Sequence, residues 1–139
     1  MDKADPRELV KVARRTRQDE SRWHRNGIGS PRAELVVDNT LDRTYLDHLA
    51  ATLPDGLGGL RIVTDCANGS ASFLAPELFE RLGASVERIH CCPDGRNINL
   101  NCGSLHLEPL RSAVLTHSAD AGVAFDGDAD RALFVSASG

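Results

Sequence analysis

The feature that most constrains the fold is a regular alternation of short apolar runs with segments of helical periodicity after residue 40. Four runs of strand length cover residues 60–66, 86–90, 121–125 and 132–135. Around these runs, leucine and phenylalanine recur every three to four residues, as they do on the buried face of a helix. Strands that alternate with helices predict an α/β layered sheet with right-handed crossovers.

Three helices are predicted from this periodicity, over residues 41–49, 73–82 and 107–115. The Pro-Asp-Gly sequence at 54–56 ends the first helix and Gly83 ends the second, because these residues favour turns. Ser104 lies near the expected start of the third helix, with Glu108 following, and is predicted to cap it. His106 is assigned a local structural role there.

The fourth run cannot form a strand parallel to the third. Only the six residues 126–131 separate the two runs, whereas a parallel crossover needs a dozen or more. The last strand is therefore predicted to pair antiparallel, at or near an edge. The resulting fold prediction is a mixed sheet of about four strands flanked by helices.

A turn-rich segment divides the chain. Residues 26–31 read Asn-Gly-Ile-Gly-Ser-Pro, a composition that interrupts helices. The stretch before it carries a helix-start signal at Pro6. Residues 1–27 are therefore predicted to be a helical leader, or the tail of a preceding domain, and residues 28–139 to be the α/β domain.

The composition and the net charge of the chain indicate which kinds of molecule it is unsuited to bind. The 139 residues are 41% hydrophobic and 26% charged, which is typical of a globular protein. A formal net charge of -4, with acidic residues interleaved in the basic N-terminal stretch, argues against nucleic-acid or membrane binding. The sequence has no apolar run of transmembrane or signal-peptide type and no CxxC pair, so a cytoplasmic location is expected.

Three carboxylates follow the third predicted strand, at the strand end where open α/β sheets bind ligands. The loop reads Asp126-Gly127-Asp128-Ala129-Asp130-Arg131. Repulsion among the carboxylates is unfavourable unless a cation neutralises it, and hard oxygen ligands suit Mg²⁺. The small residues at 127 and 129 allow the loop to curl, and Arg131 can bind a phosphate that completes the shell of the ion.

Other interpretations of this loop stay open. It can be an acidic turn between two strands, with Arg131 as a local ion pair. It can belong to a stand-alone Mg²⁺-dependent phosphatase, with Asp126 as nucleophile and Asp128 as acid/base. A calcium-binding EF-hand is excluded, because its sixth and twelfth positions hold Arg131 and Ala137. A non-catalytic interaction module that docks through residues 1–27 is a further alternative.

Two more segments precede the acidic loop in a distinctive order. They are Asp-Cys-Ala-Asn-Gly at 65–69, and Asn-Ile-Asn followed by Cys-Gly-Ser-Leu-His within 97–106. Together with the loop, over about residues 28–139, they resemble the phosphoglucosamine mutase branch of the α-D-phosphohexomutases. The resemblance implies a four-domain isomerase that interconverts glucosamine 6-phosphate and glucosamine 1-phosphate by intramolecular phosphoryl transfer, on the route to UDP-N-acetylglucosamine.

The resemblance also implies roles for individual residues. Asp126, Asp128 and Asp130 match the ligands of a Mg²⁺ that bridges them to a phosphoserine of the first domain. Arg131 matches a contact of the transferring phosphoryl group. The implied partners are the phosphosugar substrate and the remaining mutase domains. These roles agree with phosphoryl-transfer chemistry, which depends mostly on positioning and charge neutralisation.

The chain departs from the family pattern in two ways. Gly is usual where Ala129 stands, so an ordinary backbone conformation is expected at Ala129. No serine has the surroundings of the phosphoserine motif, so the catalytic serine is absent from this chain. The resemblance further implies a sugar-recognition loop and a terminal phosphate-binding domain after Gly139, and we expect neither within these 139 residues. We therefore expect a fragment of a phosphohexomutase that is inactive alone.

Overall fold

The structure is a computed structural model that describes Asp38 and residues 40–139. The predicted leader at 1–27 and the turn-rich boundary lie outside the described residues. The described elements, in chain order, are α1 (Thr40–Ala50), β1 (Arg61–Asp65), α2 (Ala71–Arg81), β2 (Ser85–Ile89), a short 3-10 helix (Gly103–Leu105), α3 (Glu108–Thr116), β3 (Ala121–Phe125) and β4 (Ala132–Ser136). None of the described helices has the length and apolarity that crossing a bilayer requires.

The four strands form one mixed sheet in the order β2-β1-β3-β4. β1 pairs in parallel with both β2 and β3. β3 pairs antiparallel with β4, in a register that sets Phe125 opposite Ala132. The predictions of an α/β mixed sheet and of an antiparallel last strand at an edge are confirmed. The physical reason is the short β3–β4 loop, which leaves no room for a crossover.

Both faces of the sheet are covered next to β1 and β3. On one face Val63 packs in a cluster with Leu110 and Val114 of α3. On the other face Ile62 packs in a cluster with Val123 and with Phe79 of α2. Because alternate residues of a strand point to opposite faces, burial on both sides explains the nearly continuous apolar run in β1. This packing fixes the carboxyl ends of β1 and β3 side by side.

The prediction that Ser104 caps the third helix is wrong. Ser104 is buried in the 3-10 helix, and the residue at the cap position of α3 is Leu107, which makes no side-chain cap hydrogen bond. The helix instead begins with Pro109 in its first turn, where the missing N–H of proline costs nothing. The 3-10 turn is closed by the His106 N–H, which donates to the Gly103 carbonyl at 3.0 Å.

Candidate metal site

The acidic loop joins β3 to β4 through a tight reversal of the chain. The Ala129 N–H donates to the Asp126 carbonyl at 3.1 Å, and the Asp126 N–H donates to the Arg131 carbonyl at 3.4 Å. One carboxylate oxygen from each of Asp126, Asp128 and Asp130 lies within 4.8 Å of the other two. The structure thus brings together the three carboxylates that the sequence placed in one loop.

Arg131 packs against the most buried of the three carboxylates. Asp126 is only 3% exposed, whereas Asp128 and Asp130 are exposed. The Arg131 guanidinium contacts Asp126 Oδ2 through Nη2 at 2.7 Å and through Nε at 2.8 Å. Its Nε also lies 3.3 Å from Asp130 Oδ1. The ion pair that the acidic-turn interpretation predicted is therefore present, together with the convergence of the carboxylates.

Charge in the loop is only partly compensated. Burial acts to raise the pKa of Asp126, but hydrogen bonds from the Asp130 carboxyl and from Arg131 outweigh it, so the pKa lies below its ordinary value. The pKa of Asp130 is raised by its hydrogen bond to Asp126 and by the charges of Asp126 and Asp128. Three carboxylates and one guanidinium leave excess negative charge, and the donors are all hard oxygens. This donor set fits Mg²⁺.

The backbone at Ala129 differs from the expectation. Ala129 has φ of +59°, so the prediction of an ordinary conformation there is wrong. The left-handed conformation allows the chain to reverse within six residues, and it costs an alanine roughly 1–2 kcal/mol. Gly127 is needed for a different reason, since a Cβ there would come within 2.7 Å of Ile98 Cδ1 and of Asn99 Nδ2.

A buried carboxylate that sequence analysis did not single out supports this edge of the sheet. Asp65, at the end of β1, is 0% exposed and accepts hydrogen bonds from three groups at 3.0 Å. The donors are the N–H groups of Ala67 and Gly103 and the ring Nδ1 of His90. The sequence signal that could have revealed Asp65 is its position as an aspartate at the end of an apolar strand. A carboxylate that is buried there needs several hydrogen-bond partners.

The loop that follows Asp65 contacts the acidic loop directly. The Ser70 N–H donates to the Gly127 carbonyl at 2.9 Å, and the Asn99 N–H donates to the Ala67 carbonyl at 2.9 Å. The three segments that carried the family resemblance therefore meet at the carboxyl edge of the sheet.

Comparison with known proteins identifies the family of the α/β domain. Residues 43–139 match the family model for phosphoglucomutase/phosphomannomutase, alpha/beta/alpha domain II. A phosphoglucosamine mutase of Solibacter usitatus (strain Ellin6076) is 58% identical over 105 residues, which are 76% of this chain and 24% of that protein. A phosphoglucosamine mutase of Rhodococcus jostii (strain RHA1) is 52% identical over 113 residues, 81% of this chain and 25% of that protein.

A solved structure is similar as well. The X-ray structure of a phosphoglucomutase/phosphomannomutase family protein from Burkholderia thailandensis matches with a TM-score of 0.61 and 28% identity. The match covers 71% of this chain and 22% of that one. The chain spans about a quarter of the length of the curated relatives that it matches.

Proposed function

Because the chain belongs to the phosphoglucomutase/phosphomannomutase family and is homologous to phosphoglucosamine mutases within domain II, we propose that it is the metal-binding domain of such a mutase. The proposed reaction is the cytoplasmic interconversion of glucosamine 6-phosphate and glucosamine 1-phosphate by intramolecular phosphoryl transfer. One observation carries the proposal, namely the carboxylate oxygens of Asp126, Asp128 and Asp130 within 4.8 Å of one another at the carboxyl end of β3.

The three aspartates would hold Mg²⁺, and the bound ion would neutralise charge on a phosphoryl group in transfer. The protein contributes a preformed loop, tied to the segment between β1 and α2 through the hydrogen bond from the Ser70 N–H to the Gly127 carbonyl. Arg131 is held beside the carboxylates by its ion pair with Asp126. Its planar guanidinium suits a phosphate oxygen pair, so we assign it to the phosphoryl contact. The partners proposed for the domain are the phosphosugar and the other mutase domains.

The burial of Asp126 weighs against the phosphatase alternative. A nucleophilic carboxylate must be reached by the phosphorus atom of the substrate. Asp126 is 3% exposed, and its Oδ2 is engaged by two nitrogens of Arg131. This arrangement suits a metal ligand or a structural anchor better than a nucleophile.

Cation binding by the purified chain is the first test. Mn²⁺ serves as the probe because its bound and unbound forms are distinguished by electron paramagnetic resonance. Replacing exposed Asp128 in Asp128→Asn removes one ligand charge, and we expect binding to weaken about 10-fold or more. The matched control is Asp55→Asn, another exposed aspartate, which should bind like the parent chain. Equal binding by both variants would contradict the proposed site.

Mutase activity is tested in a chimera. The matching segment of the Solibacter usitatus relative is replaced by residues 43–139 of this chain, and conversion of glucosamine 6-phosphate to glucosamine 1-phosphate is measured. We expect an active chimera that loses most of its activity with Asp128→Asn and keeps it with Asp55→Asn. A folded but inactive chimera would count against the proposed function.

A further inference from the structure

Two cysteines lie at the carboxyl ends of β1 and β2, outside the acidic loop itself but at the same edge of the sheet. Cys66 directly follows β1 and is fully buried, and Cys91 lies two residues after the end of β2 and is half-buried. Cys91 packs against the apolar cluster that contains Cys66, Ala71 and Ala75. Neither thiol has a part in the function proposed above.

The chain brings these cysteines together by breaking the regular strand pairing. In the register of β1 and β2, Asp65 lies opposite Ile89, so a regular continuation would set His90 beside Cys66. His90 instead has φ of +50° and its ring turns to Asp65. The next residue, Cys91, packs against the cluster that contains Cys66.

Two contacts to one atom locate the pair. The Cys66 N–H donates to the Ile89 carbonyl at 3.3 Å, and Cys91 Sγ lies 3.2 Å from the same oxygen. Neighbouring strands are about 4.8 Å apart, and disulfide-bonded cysteines have Cα atoms about 4.4–6.8 Å apart. The thiols of Cys66 and Cys91 also hydrogen-bond to each other, so the two sulfur atoms are close enough to react with one another.

We propose that Cys66 and Cys91 are a modification site, at which a peroxide-type oxidant forms a reversible disulfide within the chain. The Cys91 thiolate attacks one oxygen of hydrogen peroxide, the O–O bond breaks, and hydroxide leaves to become water. Cys91 is then a sulfenic acid. The Cys66 sulfur attacks Sγ of Cys91, the S–O bond breaks, and hydroxide leaves with the Cys66 proton as a second water. Two thiols are oxidised and one peroxide is reduced.

The order of attack follows from the two environments. The hydrogen bond with Cys66, together with the positive charge of Arg88, lowers the pKa of the Cys91 thiol. The same hydrogen bond and burial raise the pKa of Cys66. Cys91 is also the more exposed of the two, and a more exposed thiolate reacts first with an oxidant.

The cross-link would act on the edge of the sheet that carries the acidic loop. Cys66 lies two residues before Asn68, whose N–H donates to the His90 carbonyl at 2.7 Å. Two residues further along, Ser70 bonds to Gly127. A bond from Cys66 to Cys91 would therefore tie the segments after β1 and β2 together beside that loop.

The test is peptide mapping of the full 139-residue chain after treatment with hydrogen peroxide. Remaining thiols are alkylated in denaturant, and the chain is digested with trypsin without reduction. Trypsin places Cys66 in residues 62–81, Cys91 and Cys92 together in 89–96, and Cys102 in 97–111. We expect a cross-linked pair of the first two peptides that dithiothreitol separates, in a chain that migrates as a monomer on a non-reducing gel.

Two variants decide which cysteine is joined to Cys66. Cys92→Ser alters an exposed neighbour and should keep the cross-link, whereas Cys91→Ser should lose it. A cross-link that survives in Cys91→Ser and disappears in Cys92→Ser would overturn the proposal. So would a cross-link between two chains, or a parent chain in which Cys66 stays fully alkylatable while Cys91 is oxidised. The mapping reads thiols only, so its outcome does not depend on the proposed mutase function.

Discussion

At the scale of single residues, the loop after β3 combines backbone strain with concentrated charge. Ala129 has a left-handed backbone, between carboxylates that converge to within 4.8 Å. Residues in such conformations persist only where the surrounding structure holds them. Here the β3–β4 pairing on either side of the loop imposes the reversal. The strain is therefore a consequence of the tight turn that gathers the carboxylates.

Relief of this strain is measurable by substitution. Ala129→Gly should raise the free energy of unfolding by about 0.5–1 kcal/mol, because glycine adopts positive φ without a steric cost. The control is Ala51→Gly, at an exposed alanine outside the positive-φ set. Glycine there should lower the free energy of unfolding by about 0.5–1 kcal/mol. Urea unfolding measures both, and a loss of stability in both variants would contradict the left-handed assignment.

At the scale of elements, the edge of the sheet is built from loops that interlock through their backbones. The Gly103 N–H donates to buried Asp65 at 3.0 Å. Gly103 also has φ of +70°, and a Cβ on it would lie 2.5 Å from the Phe125 carbonyl and 2.6 Å from Ala67 Cβ. The 3-10 turn can therefore approach β3 only because residue 103 has no side chain. The position of the acidic loop depends on this contact, since Phe125 directly precedes it.

Substitutions at two glycines with positive φ distinguish the cost of crowding a new side chain from the cost of a left-handed backbone. Gly103→Ala should lower the free energy of unfolding by about 2–4 kcal/mol, because overpacking adds to the left-handed penalty. Gly95→Ala carries the same penalty at φ of +83°, but nothing lies within 4 Å of its Cβ. That control should lose only about 1 kcal/mol. If urea unfolding showed equal losses of free energy in both variants, a methyl group would fit between residue 103 and β3, and the predicted crowding would be contradicted.

At the scale of the whole molecule, the described part of the chain presents apolar side chains along an edge strand. β4 is an edge of the sheet, and only Val135 of its five residues is buried. Phe134 is 75% exposed and Leu133 is 45% exposed. Exposed apolar edge strands favour association with another chain. The chain spans about a quarter of its relatives, so this surface is a candidate contact for the rest of the proposed mutase.

The isolated chain should self-associate through this edge. Phe134→Lys should raise the dissociation constant of the dimer about 10-fold or more, because burial of one phenylalanine contributes roughly 1.5–3 kcal/mol. Phe73→Lys is the control, because Phe73 is similarly exposed, at 70%, but lies on α2. Sedimentation equilibrium measures both constants. A larger effect of the Phe73 substitution would move the predicted contact to the helical face.

The sequence by itself determined the class of fold and the composition of the candidate site. The alternation of apolar runs with helical periods predicts the α/β sheet, because side-chain spacing reports which faces are buried. The six residues between β3 and β4 require an antiparallel last strand, because that length excludes a crossover. The convergence of three aspartates was also predictable, because they lie in one short loop behind one strand. All three features could be predicted because each depends on residues that are close together in the sequence.

Only the tertiary structure decided features that depend on residues distant along the chain. The role of Asp65 requires Gly103 and His90, which approach it through the packing of separate loops. The pairing of Cys66 with Cys91 requires the irregular backbone at His90. Ser104 does not cap α3 because it lies within the 3-10 helix, which contacts the end of β3 through Gly103. No local sequence pattern predicts such contacts, because they depend on the distances between helices, strands and loops after the core has packed.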